Sequence, residues 1–148
     1  MPKTAAKYGS YAGVFTVLLH AAAVQLGWDP ATSLRITAWD VEGQLQFPPS
    51  LDDLDAVLIT GSRYSAYEST PWIAALVAYV RRILSGQTRV RLIGVCFGHQ
   101  VIARALGASV AASRDGWEAS VCEVSLSACG KQLFGKDVLV PPPPDSNK

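Results

Sequence analysis

The chain has 148 residues, a length that suits one domain with a core of its own. Its residues are 49% hydrophobic and 17% charged, which is a globular composition without the signature of a disordered chain. The formal net charge of +1 argues against a dedicated surface for nucleic acid or for an anionic membrane, so we expect neither as a partner.

The first patterned segment is a predicted helix from about Tyr11 to Leu26, and Gly27 is expected to end it with a positive φ angle. The large apolar side chains on one side of this helix are Phe15, Leu18, Leu19, Ala22 and Leu26. Residues 34–39, LRITAW, alternate and are rich in branched side chains, which predicts a strand. Residues 56–60, AVLIT, predict a second strand that is fully buried.

A loop that contains Gly61 and several serines, residues 61–70, follows this second strand. Thr70 is expected to cap the next helix, and Pro71 suits its first turn. The helix should end at Gly86, and its predicted core side chains are Trp72, Leu76, Val80 and Ile83. A further short helix is predicted around residues 128–135.

Cys96 lies between two glycines in GVCFGHQ, residues 94–100. The apolar residues before it predict a strand, and residues 99–107 predict a helix that ends at Gly107. A sharp turn between strand and helix exposes the middle side chain, as in a nucleophile elbow, and the helix N-terminus favours a thiolate there. The alternative is that Cys96 is a buried small hydrophobic residue. The spacing favours the elbow.

Strands and helices alternate, and the strands are continuous apolar runs, which predicts an α/β fold with a parallel sheet and helices on both faces. Ligands bind such sheets at the carboxyl ends of the strands, where residues 60–64 and 96–100 should lie side by side. An elbow nucleophile needs two backbone N–H donors for the oxyanion. Phe97 is one candidate and the Gly61–Ser62 segment is the other, although Gly61 alone is equally explained as a turn glycine.

Three cysteines and two histidines are the residues to consider for a metal: Cys96, Cys122, Cys129, His20 and His99. Their spacing matches no pattern of metal ligands, so we expect neither a metal nor another cofactor. An odd number of cysteines, with one in an elbow, suits a reducing compartment, and we expect a cytoplasmic protein. The longest apolar stretch is too short for a membrane span.

Five segments carry a resemblance to a known family: KYGSYAGVF (7–15), TAWDV (37–41), LITGSRYSAYE (58–68), PWI (71–73) and GVCFGHQVIARALG (94–107). In this order they resemble the class I glutamine amidotransferase-like proteins, and in particular the stand-alone GMP-synthase-like branch. The resemblance covers most of residues 7–139, which we expect to form a partial domain of this kind, followed by a proline-rich tail at 140–148. It implies a flavodoxin-like fold in which a cysteine attacks the side-chain amide of glutamine, giving a glutamyl thioester and ammonia.

The resemblance also implies roles for residues of this chain. Cys96 matches the catalytic nucleophile, and Phe97 and Ser62 match the residues whose amides bind the oxyanion. Gln100 and Gly61 match positions that contact the substrate, so glutamine or a related amide is the expected ligand. His99 matches a structural histidine of the motif, not the catalytic one.

Two departures from the family predict a chain that is inactive by itself. The family's general base is a histidine followed two residues later by a glutamate, and this chain has no histidine after His99. Loss of one member of a catalytic unit lowers the rate by about 10⁴ or more, by analogy with serine triads. The similarity also begins after the family's first strand and stops after residue 139. We therefore expect a truncated product that lacks the first strand and the C-terminal strands.

Two other interpretations stay open. One is a non-catalytic member of the family that binds a partner or a small amide, and the other is an unrelated cysteine hydrolase that shares only the elbow. In the family's fold the first strand lies between the strands that match residues 34–39 and 56–60. Without it we expect exposed sheet edges, which favour self-association or pairing with a partner chain.

Overall fold

The computed structural model describes residues 6–86, 89–114, 116 and 123–139. Cys122 and the proline-rich tail at 140–148 lie outside the described residues. The chain divides into two compact units, the first ending at Ala112 and the second beginning at Ser113.

The first unit opens with a helical turn at residues 6–8. Its helices are α1 (Tyr11–Gln25), α2 (Pro30–Ser33), α3 (Val41–Gln44), α4 (Pro71–Gly86) and α5 (Phe97–Ala105), and its strands are β1 (Ala56–Ile59) and β2 (Arg91–Gly94). Strands β1 and β2 pair in parallel, with Ile59 opposite Gly94 at their carboxyl ends. Helix α5 contacts both strands and α4. A parallel pair of strands packed against a helix confirms the predicted α/β, flavodoxin-like class.

The core of the first unit joins β1, α4, α5 and the loop after β1. Its buried side chains are Ile59, Ala66, Ile73, Leu76, Val77, Val80, Phe97 and Val101. The predicted core face of α4 is largely confirmed, because Leu76, Val80 and Ile83 are buried and Trp72 is partly buried. Thr70 precedes α4, but the predicted side-chain cap is wrong. Its hydroxyl is buried without a hydrogen-bond partner in the described part of the chain.

Residues 34–39 do not form a strand, contrary to their alternating pattern. Leu34 has extended backbone angles, with φ −127° and ψ 125°, and Arg35 donates from Nη2 to the carbonyl of Asp53 at 3.3 Å. In the described regions, however, no neighbouring strand forms a ladder with this segment. A strand is stabilised by hydrogen bonds to its neighbour, and the alternation of side chains cannot supply that neighbour.

Helix α1 has the predicted position, and Gly27 follows it with φ +76°. Ser10 caps its N-terminus by accepting a hydrogen bond from the amide of Gly13 at 3.3 Å. Its predicted apolar side is largely uncovered, with Leu18 57% exposed and Leu26 66% exposed. Apolar residues occur all around this helix, so its sequence does not single out one core face.

The second unit contains β3 (Val124–Ser125), α6 (Ala128–Phe134) and β4 (Val138–Leu139), with β3 and β4 antiparallel. Ser127 caps α6 by accepting a hydrogen bond from the amide of Gly130 at 3.2 Å, and Gly135 ends it with φ +63°. The predicted helix around residues 128–135 is therefore confirmed. Over the described ranges, every helix is too short or too polar to cross a membrane.

Candidate active site at the carboxyl ends of the strands

Cys96 occupies a strained turn between β2 and α5. It is the N-cap residue of α5 and has φ +54° and ψ −109°. A residue with a side chain pays about 1–3 kcal/mol for such a conformation, and conformations of this kind are concentrated at functional sites. The residue is exposed and its thiol is free. The chain thus presents a free, exposed thiol at the start of a helix and beside the end of a strand.

Two glycines allow this turn to form. A Cβ atom on Gly98 would lie 2.1 Å from the carbonyl oxygen of Ile59, and one on Gly94 would lie 2.5 Å from the amide nitrogen of His99. The amide of Val95 donates to the same Ile59 carbonyl at 3.0 Å, which extends the parallel pairing one residue past β2. Only glycine at these positions lets α5 approach the strand ends so closely.

The loop after β1 begins beside Cys96. A Cβ atom built on Gly61 would lie 3.6 Å from the Cβ atom of Cys96. Ser62 is fixed by a local turn in which its Oγ accepts a hydrogen bond from the amide of Tyr64 at 3.3 Å. The two segments that the sequence predicts to be neighbours therefore meet at the same edge of the sheet, because β1 and β2 are adjacent and parallel.

Two backbone amides near this turn are available to a ligand. Among the described residues, neither Ser62 nor Phe97 uses its amide N–H in a hydrogen bond. Phe97 is the first residue of α5, where the amide has no partner inside the helix. Gln100 lies one turn further along the helix and is half-buried. The unpaired amides of Ser62 and Phe97 therefore belong to the two segments that meet beside Cys96.

Among the described residues, no hydrogen bond joins the ring of either histidine to the Cys96 thiol. His20 lies on α1 and is exposed. His99 is also exposed, in the first turn of α5, where its amide donates to the carbonyl of Cys96 at 3.1 Å. The described residues contain no group of three or more His, Cys, Asp or Glu side chains that could hold a metal ion.

An aromatic row packs the loop after β1 against helices α4 and α5. The ring centroid of Trp72 lies 5.3 Å from that of Tyr64 and 5.4 Å from that of Phe97. Trp72 belongs to α4 and Phe97 to α5, so one contact chain joins the loop to both helices. Such aromatic pairs add about 0.5–1.5 kcal/mol each to the stabilisation that burial provides.

Arg63, the residue after Ser62, is exposed and lies near two oxygen atoms. Its Nη2 is 3.0 Å from the Tyr64 hydroxyl and 3.4 Å from Oε1 of Glu42. The hydrogen bond to Tyr64, followed by electrostatic interaction with Tyr64 and Glu42, raises the pKa of the Arg63 guanidinium. A permanent positive charge therefore lies on the loop that borders Cys96.

Sequence reasoning missed Arg104. It lies on α5 three residues after the buried Val101 and seven after the buried Phe97, so it shares their side of the helix. Its guanidinium donates to the backbone of the loop after β1, at Ala66 and Glu68. The sequence did contain a signal for Arg104, namely a cationic residue among the apolar positions of a short helix. A charge at such a position is partly buried and needs hydrogen-bond partners.

The chain is similar in sequence to known proteins. The family model described as glutamine amidotransferase class-I matches residues 11–137. A glutamine amidotransferase-like protein of Schizosaccharomyces pombe is 31% identical over 142 residues, which cover 94% of this chain and 56% of that protein. Gamma-glutamyl peptidase 4 of Arabidopsis thaliana is 31% identical over 134 residues, which cover 88% of this chain and 49% of that protein. No solved structure matches the chain.

The fold and the turn at Cys96 define an α/β protein with an exposed cysteine at the carboxyl edge of a parallel sheet. The chain belongs to the class-I glutamine amidotransferase family, as the family match over residues 11–137 shows. The family predicted from the sequence is thus confirmed. The chain spans about half the length of the two relatives named above.

Proposed function

We propose that the site around Cys96 binds a γ-glutamyl group and presents its side-chain carbonyl carbon to the thiol. The observation that carries this proposal is the strained Cys96 turn, beside which a Cβ atom built on Gly61 would lie 3.6 Å from the Cβ atom of Cys96. The names of the relatives support both glutamine and γ-glutamyl peptides as sources of that group. Gln100 and Gly61 remain the proposed substrate contacts.

The proposed chemistry is nucleophilic attack followed by hydrolysis. The Cys96 sulfur forms a bond to the γ-glutamyl carbon, and the carbonyl electrons move to oxygen, where the amides of Ser62 and Phe97 donate to the negative charge. Collapse of this intermediate breaks the C–N bond and releases the amine, which takes up a proton. Water then attacks the thioester, giving a carboxylate and restoring the thiol.

Both steps need proton transfers, and this chain offers no histidine after His99 to assist them. We therefore propose that the chain as it stands binds the γ-glutamyl group but turns it over no faster than a variant without the thiol. A non-catalytic binding role is the second candidate function, and the lack of a histidine after His99 favours it. The cytoplasmic location expected from the cysteine pattern is also a proposal.

A covalent probe tests the site without requiring turnover. The probe is a chloroketone analogue of glutamine, in which the chloromethyl ketone replaces the side-chain amide. The thiol of Cys96 displaces chloride, and a thioether remains that mass spectrometry can locate. We expect one label per chain, at Cys96, and slower labelling in the presence of excess glutamine or a γ-glutamyl peptide.

Cys129 provides the matched control, because it is also free and exposed. Cys129→Ala should be labelled as fast as the wild type, and Cys96→Ala should not be labelled. The proposal is wrong if Cys129 is labelled as fast as Cys96, or if neither glutamine nor the peptide protects. Ammonia release from glutamine, compared between the wild type and Cys96→Ala, tests the proposed lack of turnover. We expect equal rates of release from the two proteins.

A further inference from the structure

We infer that Arg104 is a positioning residue for this site: it holds the loop after β1 against α5, so that the amides of Ser62 and Phe97 keep one relative orientation. The inference rests on the proposed function, because it gives these two amides a shared task. Arg104 itself is not proposed to touch the substrate.

The contacts of Arg104 connect two parts of the site. Its Nη1 donates to the carbonyl of Ala66 at 2.8 Å and to that of Glu68 at 2.6 Å, and its Nη2 lies 3.4 Å from Oγ of Ser69. Arg104 belongs to α5, the same rigid element that begins with Phe97 directly after Cys96. The loop that starts at Gly61 is therefore attached to the helix that starts beside the thiol.

Contacts on both sides of its buried centre hold the loop after β1, and the attachment to Arg104 is one of them. Ala66 is fully buried at its centre. A local turn follows, in which the amide of Glu68 donates to the carbonyl of Ser65 at 3.0 Å, and the carboxylate of Glu68 accepts from the amide of Ser65 at 3.3 Å. The aromatic contact of Tyr64 with Trp72 holds the part nearer to Ser62. Arg104 holds the remaining half, so the loop is fixed on both sides of its buried centre.

A guanidinium suits this task better than an ammonium does. It presents several N–H donors in a rigid plane, so one side chain can serve two carbonyls and a hydroxyl in fixed directions. Lysine would keep the charge but not the planar fork, and glutamine would be shorter and neutral. If the fixed directions of these hydrogen bonds position the loop, Arg104→Lys should impair the positioning partly and Arg104→Gln should impair it more.

Two alkylating reagents separate the position of the amides from simple access to the thiol. The chloroketone analogue of glutamine carries a carbonyl oxygen that takes the place of the oxyanion and gains negative charge as the sulfur attacks. Iodoacetamide reacts by displacement of iodide at a methylene carbon, so its rate reports mainly the exposure and reactivity of the thiol. The ratio of the two rate constants at Cys96 measures the help that the amides give.

The expected result is a ratio that falls about tenfold or more in Arg104→Gln, with an intermediate value in Arg104→Lys, because removal of one oxyanion donor typically costs 10²–10³-fold. Arg81→Gln is the matched control. Arg81 also donates to a backbone carbonyl, that of Ala105 at the end of α5, at 3.4 Å, but the contact does not involve the loop. Its ratio should equal that of the wild type.

The possible results distinguish failure of this inference from failure of the proposed function. If the wild type shows no higher ratio than a small-molecule thiol, the proposed function fails, and the inference fails with it. If the wild-type ratio is high and both folded Arg104 variants retain it, only the positioning role is overturned. Circular dichroism establishes that the variants are folded, and Arg104→Lys decides the question if Arg104→Gln does not fold.

Discussion

Replacing Gly98 by alanine tests the packing that creates the turn at Cys96. The added Cβ atom would lie 2.1 Å from the carbonyl oxygen and 2.8 Å from the carbonyl carbon of Ile59. Both are backbone atoms, which cannot rotate away as a side chain can. Since carbon atoms pack favourably at about 3.5–4.0 Å, α5 has to move away from the strands by roughly 1 Å or more.

The expected loss of stability follows from two contributions. Overpacking of this kind costs about 1–3 kcal/mol. The displaced carbonyl of Ile59 also accepts from the amide of Val95, and weakening that bond costs about 0.5–1.5 kcal/mol. A total of about 1.5–4.5 kcal/mol corresponds to a fall in the melting temperature of roughly 3–18 °C, at about 2–4 °C per kcal/mol for a chain of this size.

Thermal unfolding followed by circular dichroism measures this effect, and Gly86→Ala is the matched control. Gly86 is the last residue of α4, and a Cβ atom there would meet no other atom within 4 Å. That variant should melt at the wild-type temperature or slightly above it, because glycine destabilises helices relative to alanine. If Gly98→Ala melts at the same temperature as Gly86→Ala, the close approach of α5 to the strand end is wrong.

Three further changes test other parts of the structure. Cys96→Gly should be more stable than Cys96→Ala by about 1–3 kcal/mol in urea unfolding, because glycine tolerates φ +54°, and equal stabilities would contradict the strained turn. Arg89→Gln should lose about 1 kcal/mol, because Arg89 donates to three carbonyls in the loop 51–54, and an unchanged urea midpoint would show that these exposed contacts add nothing. Burial raises the pKa of Tyr79, partly offset by Arg82, so the folded protein keeps the phenol proton at a pH where the unfolded chain loses it. Wild-type stability should therefore fall as the pH rises above about 10, and Tyr79→Phe should lack this part of the decrease. Urea unfolding at about pH 9 and about pH 11 checks this, and identical pH dependence in both proteins would refute it.

Several features of the fold follow from local sequence alone. The helix that begins at Pro71 carries its apolar residues at helical spacing, and most of them are buried as expected. Gly27 ends α1 with a positive φ angle because glycine adopts that conformation without steric cost. The cysteine between Gly94 and Gly98 has the strained backbone that its motif predicts. These features depend on interactions between residues close in sequence, so the sequence was sufficient to predict them.

Only the tertiary structure decided the features that depend on contacts between residues far apart in the sequence. Residues 34–39 have the alternation of a strand, yet the described structure supplies no neighbouring strand to share its hydrogen bonds. The apolar side of α1 could not be recognised as exposed, because exposure depends on what packs against the helix. Arg104 shows the same limit, since its partners at Ala66 and Glu68 precede it by 38 and 36 residues. Local patterns predict the conformation that a segment prefers, whereas pairing, burial and long-range hydrogen bonds exist only once the chain has brought distant residues together.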